Sequence, residues 1–130
     1  MIAIIDEAIR DILVNDATVS AITTRCYPVG IPQNPTWPLM VYGKITGVRE
    51  HSLQGPTGMA TPRYQIEAWA ETYSGAKSLA KAMREALDGY RGTVGTVRIG
   101  SFLIQSERDI YEDAVGCYRV IQDYYIIHNE

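Results

Sequence analysis

The chain has 130 residues, of which 46% are hydrophobic and 21% are charged, with a net charge of −3 at pH 7. This length is enough for one domain with its own hydrophobic core, so we expect a single domain over residues 1–130. The acidic balance disfavours a protein that coats DNA or RNA, because that role requires a basic surface. The sequence contains no secretory signal and no apolar run long enough to cross a membrane, so we expect no membrane partner.

The N-terminal part predicts two helices and then an irregular segment. Apolar residues at helical spacing predict a helix over residues 2–14, and Asp16 is placed to cap a short helix over residues 17–22. Four prolines between Arg25 and Pro38 exclude a regular element there. Because this proline-rich segment is also apolar, we expect it to pack along the surface of the domain.

Alternating apolar and polar residues predict strands over residues 39–50 and 63–71. Glycines and a proline between them favour a long loop over residues 51–61. The second strand directs two sets of side chains to opposite faces: Tyr64, Ile66, Ala68 and Ala70 to one, and Arg63, Gln65, Glu67, Trp69 and Glu71 to the other. On the second face Trp69 either is exposed for a partner or packs beneath the proline-rich segment.

The clearest helix in the sequence covers residues 74–88, with Ser74 as its predicted cap and Gly89 as its end. Its apolar stripe contains small alanines that allow close packing on a sheet. Further strands are predicted over residues 97–111, with a kink at Gly100, and over residues 118–127, the latter covered on both faces. The fold class is therefore α+β. We expect an antiparallel or mixed sheet of about four to five strands, packed against a central helix (74–88) and an N-terminal helix (2–14).

No catalytic or cofactor-binding motif is recognisable, so we expect neither an enzyme nor a cofactor. His51 and His128 have no partner at metal-ligand spacing and are interpreted as surface residues. Cys26 and Cys117 are far apart in sequence and are predicted to be free, buried thiols.

An acidic group made up of Glu107, Asp109, Glu112 and Asp113 flanks a predicted turn. Carboxylates of this kind can hold a divalent cation or perform acid–base chemistry. The simpler interpretation is the solvated end of a hairpin. A small metal-dependent enzyme that uses Glu107, Asp109 and Glu112 therefore remains an alternative.

Several fragments, taken in order, resemble the tail completion proteins of long-tailed bacteriophages and prophages, which are also described as tail terminator or head-to-tail joining proteins. The fragments are D-A-x-V-x-A-I at 16–22, R-C-Y-P at 25–28, W-P-L-M-V-Y at 37–42, G-P-x-G at 55–58, R-Y-Q-I-E-A-W-A at 63–70, A-K-S-L-A at 76–80, A-L-D-G at 86–89, D-I-Y-E at 109–112 and Y-R-V-I-Q-D-Y at 118–124. Together they extend over nearly the whole chain.

The resemblance implies a small α+β domain that forms a hexameric ring at the head-proximal end of the tail tube. This homo-oligomer would stop tube polymerisation and join the tail to the head. The implied partners are the major tail tube protein and the head–tail connector proteins, with DNA passing through the lumen without specific binding. The implied location is the virion tail, assembled in the host cytoplasm. A head–tail connector of the same machine is the neighbouring alternative.

Two groups of residues are expected to carry this assembly. The 51–61 loop and its approach are expected to contact the tail tube or the connector, through Arg49, Glu50, His51, Leu53, Gln54 and Met59. The second face of the 63–71 strand is expected to form the contact between ring subunits, through Arg63, Glu67, Trp69 and Glu71. A head-to-tail ring requires two different complementary patches on each subunit.

Overall fold

The structure is a computed structural model that describes residues 2–47, 49–52 and 55–129, without the side chains of residues 49–52 and 55–57. Within these residues the helices are α1 (Ile5–Asn15), α2 (Ala17–Ile22) and α3 (Tyr73–Leu87). The strands are β1 (Cys26–Pro28), β2 (Leu39–Thr46), β3 (Arg49–Ser52), β4 (Gly55–Ala60), β5 (Arg63–Ala70), β6 (Gly92–Val94), β7 (Val97–Glu112) and β8 (Cys117–Asn129).

The strands form one mixed sheet in which β8 is the central strand. Along one edge β8 pairs antiparallel with β5 and then with β4, and along its other edge it pairs antiparallel with β7. The sheet continues from β5 to β2 and then to β1, which is parallel to β2. The predicted α+β class is confirmed. The predicted number of strands was too low, because the short strands β1, β3, β4 and β6 carry little periodicity of their own.

The predicted loop over residues 51–61 is wrong, because β3 and β4 pair as an antiparallel hairpin. The register places His51 opposite Pro56 and Ser52 opposite Gly55. Only Met59 and Ala60 of β4 pair with β8. Pairing between neighbouring segments therefore overrides the low β-propensity of glycine and proline here.

The helices cover one face of the sheet, which we call the helical face. α1 and α3 bury their apolar stripes against it, and the resulting core contains Ile5, Ile9, Leu13, Met40, Tyr64, Ile66, Leu79, Met83, Leu87, Phe102, Val120, Tyr124 and Ile126. The stripe of α3 is confirmed, since Ala76, Leu79, Ala80 and Met83 are at most 1% exposed. Burial of this apolar area is the main favourable term in folding.

The helix ends follow local hydrogen bonding. Asp16 caps α2 as predicted, since its Oδ1 accepts from the backbone N–H groups of Thr18 and Val19. At α3, however, the cap is Thr72, whose Oγ1 accepts from the N–H of Gly75 at 3.0 Å. The predicted cap Ser74 is wrong, whereas Gly89 ends the helix with φ +82° as predicted.

α1 begins at Ile5 and not at residue 2. Ile4 provides no side-chain cap. The carbonyl of Ile2 instead accepts the N–H of Thr96 at 2.9 Å, so the segment before α1 is bound to the turn between β6 and β7.

A buried polar contact joins α3 to the sheet. The Nε2 group of Gln122 donates to the carbonyl of Ala80 at 2.8 Å and to Glu107 Oε2 at 2.7 Å. Its Oε1 accepts from the hydroxyl of Tyr124 at 2.7 Å. Because Gln122 is fully buried, these partners offset the cost of removing its amide from water.

Candidate assembly surfaces

The face of the sheet opposite the helices, which we call the second face, has three zones along β8. The covered zone contains Leu39, Val41, Trp69 and Cys117 beneath Tyr27, Ile31 and Trp37. The polar belt contains Arg63, Gln65, Ser106 and Asp123, and the open zone contains Ile45, Leu103, Tyr125 and Ile127. The covered zone therefore stabilises the fold, whereas the open zone leaves apolar side chains available to a partner.

In the covered zone the proline-rich segment packs on the sheet through two tryptophans. The rings of Trp37 and Trp69 stack with centroids 5.8 Å apart, and Trp69 is only 7% exposed. Arg25 fastens the segment, since its Nε donates to the carbonyl of Pro38 at 3.1 Å. The packed interpretation of Trp69 is therefore confirmed, and an exposed indole at this position is wrong.

Glu67 lies beside this stack, and its carboxylate interacts with two side chains of the same chain. The indole Nε1 of Trp69 donates to Glu67 Oε1 at 3.0 Å, and Arg119 Nη1 lies 3.6 Å from the same oxygen. Burial raises the pKa of Glu67, although the charge of Arg119 lowers it. The guanidinium of Arg119 also covers the Trp69 ring at 5.1 Å. Glu67 and Trp69 therefore support the second face from within.

The polar belt is centred on Asp123. Its Oδ2 accepts from Ser106 Oγ at 2.9 Å and lies 3.5 Å from Arg63 Nη2. The Asp123 side chain is 6% exposed, whereas that of Arg63 is 38% exposed. Of the predicted subunit-contact residues, Arg63 and Glu71 are the most accessible, whereas the Glu67 side chain is 13% exposed and Trp69 is buried.

The open zone is an uncovered apolar row across the sheet. Leu103 on β7 is paired with Tyr125 on β8, which is paired in turn with Arg63 on β5. The exposed fractions are 45% for Ile45, 49% for Leu103, 42% for Tyr125 and 37% for Ile127. The prediction that β8 is covered on both faces holds for residues 120–124 and is wrong at Tyr125 and Ile127. Adjacent exposed apolar side chains of this kind are typical of interaction surfaces.

A second exposed apolar group lies at the other end of the β7–β8 hairpin, where it meets the start of α3. This tyrosine tip consists of Tyr73, Tyr111, Tyr118 and Val115. Tyr118 lies 4.9 Å from Tyr111 and 5.6 Å from Tyr73 between ring centroids. Tyr73, Tyr111 and Val115 are 48%, 51% and 38% exposed. The sequence pattern does not predict this group, although nine tyrosines against one phenylalanine favour half-buried surfaces.

The acidic group flanking this hairpin is divided between the two faces. On the helical face, Asp109 lies 3.2 Å from Lys77 Nζ and Glu107 lies 3.4 Å from Arg84 Nη1. Lys77 and Arg84 both belong to α3. Glu112 instead pairs with Arg119 at 3.2 Å on the second face. The hydroxyl of Tyr73 donates to Asp109 at 2.7 Å and, with Lys77, lowers the pKa of Asp109.

These carboxylates do not converge on one point. Over residues 2–47, 49–52 and 55–129, no group of three or more histidine, cysteine or acidic side chains is placed to hold a metal ion. The geometry that a metal-dependent reaction at Glu107, Asp109 and Glu112 requires is therefore not formed by the described residues.

The two cysteines are free and buried, as predicted. Burial raises the pKa of Cys26 to about 12, so its thiol stays neutral and unreactive at physiological pH. His128 was predicted at the surface, but it is only 4% exposed. The reason is that β8 continues past it and pairs with β4 on one side and β7 on the other.

The predicted axial contact residues that the structure describes lie on the β3–β4 hairpin. The backbones of Arg49, Glu50 and His51 belong to β3, while their side chains and the whole of Leu53 and Gln54 lie outside the described residues. Met59 is half-buried and is paired with Asn129. Within the described part of the chain, β3 and the residues of β4 before Met59 pair only with each other. Among the same residues, no helix has the length and apolarity to cross a membrane.

Comparison with known proteins agrees with this fold. Residues 7–129 match the model of a family described as tail completion protein gp17. Among solved structures, the chain is similar to a chain of the virion of a native gene transfer agent (GTA) particle, with 15% sequence identity and a TM-score of 0.76. That alignment covers 94% of this chain and 92% of the other, and at this identity it shows a shared fold. No curated protein sequence matches the chain.

Proposed function

Since the chain belongs to the tail completion protein gp17 family and is thus a structural protein of a phage-type tail, we propose that it caps the head-proximal end of the tail tube as a hexameric ring. The ring ends tube polymerisation and joins the tail to the head, and DNA passes through its lumen without specific binding. The partners are further copies of the chain, the major tail tube protein and the head–tail connector proteins. Assembly takes place in the host cytoplasm.

The observation that carries the proposal is the open zone. A sheet face with four apolar side chains between 37% and 49% exposed is costly to leave in water, and a neighbouring subunit removes that cost. The absence of a converging metal-binding group among the described residues leaves this surface as the more informative feature of the molecule.

Contacts around the ring and along the tail axis use different parts of the chain. Around the ring, Arg63 and Glu71 contact the neighbouring subunit directly, whereas Glu67 and Trp69 hold the second face in shape. Along the axis, the β3–β4 hairpin contacts the tube or the connector, with Arg49, Glu50, His51, Leu53, Gln54 and Met59 as its contact residues.

The test uses tail tubes assembled from the major tail protein, with negative-stain microscopy of tubes mixed with the labelled chain. We expect label at one tip of each tube and no further growth from that tip. Label distributed along the tube, or none at all, would contradict capping. Binding to isolated connector rings without any binding to tubes would instead favour the head–tail connector.

The role of the hairpin is tested by deleting residues 52–58 while keeping β4 residues 59 and 60 for pairing with β8. We expect the variant to keep its circular dichroism spectrum and to lose binding to the tube tip. The matched control is Lys81→Ala on the exposed side of α3, which is expected to cap normally. Normal capping by the deletion variant would show that the hairpin is not the axial contact.

A further inference from the structure

We propose that the tyrosine tip of one copy of this chain packs against the open zone of a second copy, so that the contact repeats head to tail. This inference rests on the proposed function and names the two surfaces that join neighbouring subunits. Four observations carry it: the position of the two surfaces, their apolar character, their complementary charge and the absence of a cover over either one among the described residues.

The two surfaces are at opposite ends of the same hairpin and on opposite faces of the sheet. Tyr118 of the tip and Tyr125 of the open zone are separated along β8 by about 24 Å at the rise of a β-strand. Tyr118 is on the helical face because it is paired with Tyr111 and touches Tyr73 of α3. Tyr125 is on the second face, opposite Leu103. One chain therefore cannot bring its own tip onto its own open zone.

This arrangement selects a head-to-tail contact. When two different patches of one chain complement each other, each bound copy leaves one patch of each kind free, and association continues until the rotation closes a ring. A face that complemented itself would stop at a two-fold dimer. The separation of the tip from the open zone thus fits a ring better than an isolated pair.

The chemistry of the two surfaces is matched. The open zone offers aliphatic side chains and one tyrosine, and the tip offers two exposed tyrosine rings and a valine. Tyrosine rings bury a large apolar area while keeping the hydroxyl at the wet rim, which is why they are enriched in protein interfaces. Neither surface is covered by another described part of the chain.

The charges at the two rims are opposite. Beside the open zone, Arg63 is the cross-strand neighbour of Tyr125 and its side chain is 38% exposed, with Asp123 Oδ2 3.5 Å from its Nη2. Arg108 is exposed on the same face, opposite Ile121 on the far side of the polar belt, where its charge acts on Glu67. At the tip, Asp113 is exposed and forms no ion pair among the described residues. Exposed charges of opposite sign, arginines on the second face and Asp113 at the tip, favour approach of one copy to another and fix the register of the contact.

The first test is cysteine cross-linking between two variants. Chains carrying Leu103→Cys are mixed with mass-tagged chains carrying Val115→Cys under mild oxidation, and disulfide-linked pairs are counted by mass spectrometry. The native cysteines do not compete because both are buried. We expect mixed pairs to exceed either same-variant pair at least fivefold. A control mixture replaces Leu103→Cys by Lys81→Cys, which is exposed on α3 away from both surfaces, and is expected to give no excess.

The second test exchanges charges across the proposed contact. Arg108→Asp alone or Asp113→Arg alone is expected to weaken self-association, measured by analytical ultracentrifugation, by roughly tenfold, because an attraction becomes a repulsion. The chain carrying both changes is expected to associate within about twofold of the unchanged chain, because the pair is restored in the opposite sense. Lys81→Glu is the control for a change of charge away from both surfaces.

Three results would overturn the inference: equal cross-linking by the control mixture, cross-links only between identical variants, or an unchanged chain that stays monomeric at every concentration. None of these results alters binding to the tube tip, which is the readout for the proposed function. A chain that binds the tip but fails the exchange of charges keeps its proposed function and loses this contact. A chain that self-associates as described but never binds a tube does the reverse.

Discussion

The two faces of the sheet are closed by different means. The helical face is covered along its length by α1 and α3, which bury a continuous set of aliphatic and aromatic side chains. The second face is covered at one end only, by the proline-rich segment around Trp37, and is open at Leu103, Tyr125 and Ile127. The first face therefore supplies most of the stability of the single chain, and the second leaves apolar area for a neighbour.

The largest effect is expected on the helical face. Leu79→Ala is expected to lower the free energy of unfolding by about 2–5 kcal/mol, because it leaves a cavity between α3 and the sheet. Urea denaturation followed by circular dichroism measures the change, with exposed Ser78→Ala as the neighbouring control. A loss below about 1 kcal/mol would mean that this face is not the main source of stability.

A smaller effect is expected where the second face is covered. Trp37→Ala is expected to lower the free energy of unfolding by about 1–2 kcal/mol, since it removes the ring stacked on Trp69. Because the chain has two tryptophans, the variant reports on Trp69 alone, and we expect its emission to shift to longer wavelength. Val29→Ala, on the same segment but exposed, should leave the spectrum unchanged. An unshifted spectrum in Trp37→Ala would indicate that another group covers Trp69.

On the helical face, Asp109 of β7 contacts Tyr73 and Lys77 of α3, and we expect this contact to make the stability of the chain depend on pH. The Tyr73 hydroxyl and then Lys77 lower the pKa of Asp109 in the folded chain. A depressed pKa contributes stability that is present above the unfolded value of about 3.9 and is lost as the pH falls below it. Asp109→Asn should therefore lower the melting temperature at pH 7 and reduce its further fall under acid. Asp113→Asn, which has no ion pair among the described residues, is expected to keep the original profile.

The smallest effect on the single chain is expected in the open zone. Leu103→Ser is expected to change the free energy of unfolding by less than about 0.5 kcal/mol, because the side chain is already 49% exposed. The same variant is expected to weaken self-association in the ultracentrifuge. A loss of stability similar to that of Leu79→Ala would contradict the division of roles between the two faces.

The helices and the faces of β5 could be predicted because their signals are local. The stripe of α3 and the alternation of Tyr64, Ile66 and Ala68 need only neighbouring residues for their interpretation. The family resemblance, confirmed by the match over residues 7–129, also followed from short fragments in order.

What could not be predicted depends on distant pairing. Whether Trp69 is covered depends on Trp37, which alternation cannot place, so both interpretations stood open until the structure resolved them. Likewise, β4 becomes a strand through its pairing with β3 and with His128 of β8, despite two glycines and a proline in its sequence. The open zone lies beyond the end of the proline-rich cover, and only the register of β7 against β8 locates it.

The central place of β8 also affects how the chain folds as it is synthesised. Every strand that β8 joins precedes it in the chain, so β5 and β7 leave the ribosome with unpaired edges before residues 117–129 arrive. Unpaired strand edges are a hazard for aggregation, and non-local pairing of this kind is slow to form. Completion of the sheet, and with it formation of the open zone, therefore waits for β8. A nascent chain consequently cannot recruit a neighbour through that zone before its own sheet is closed.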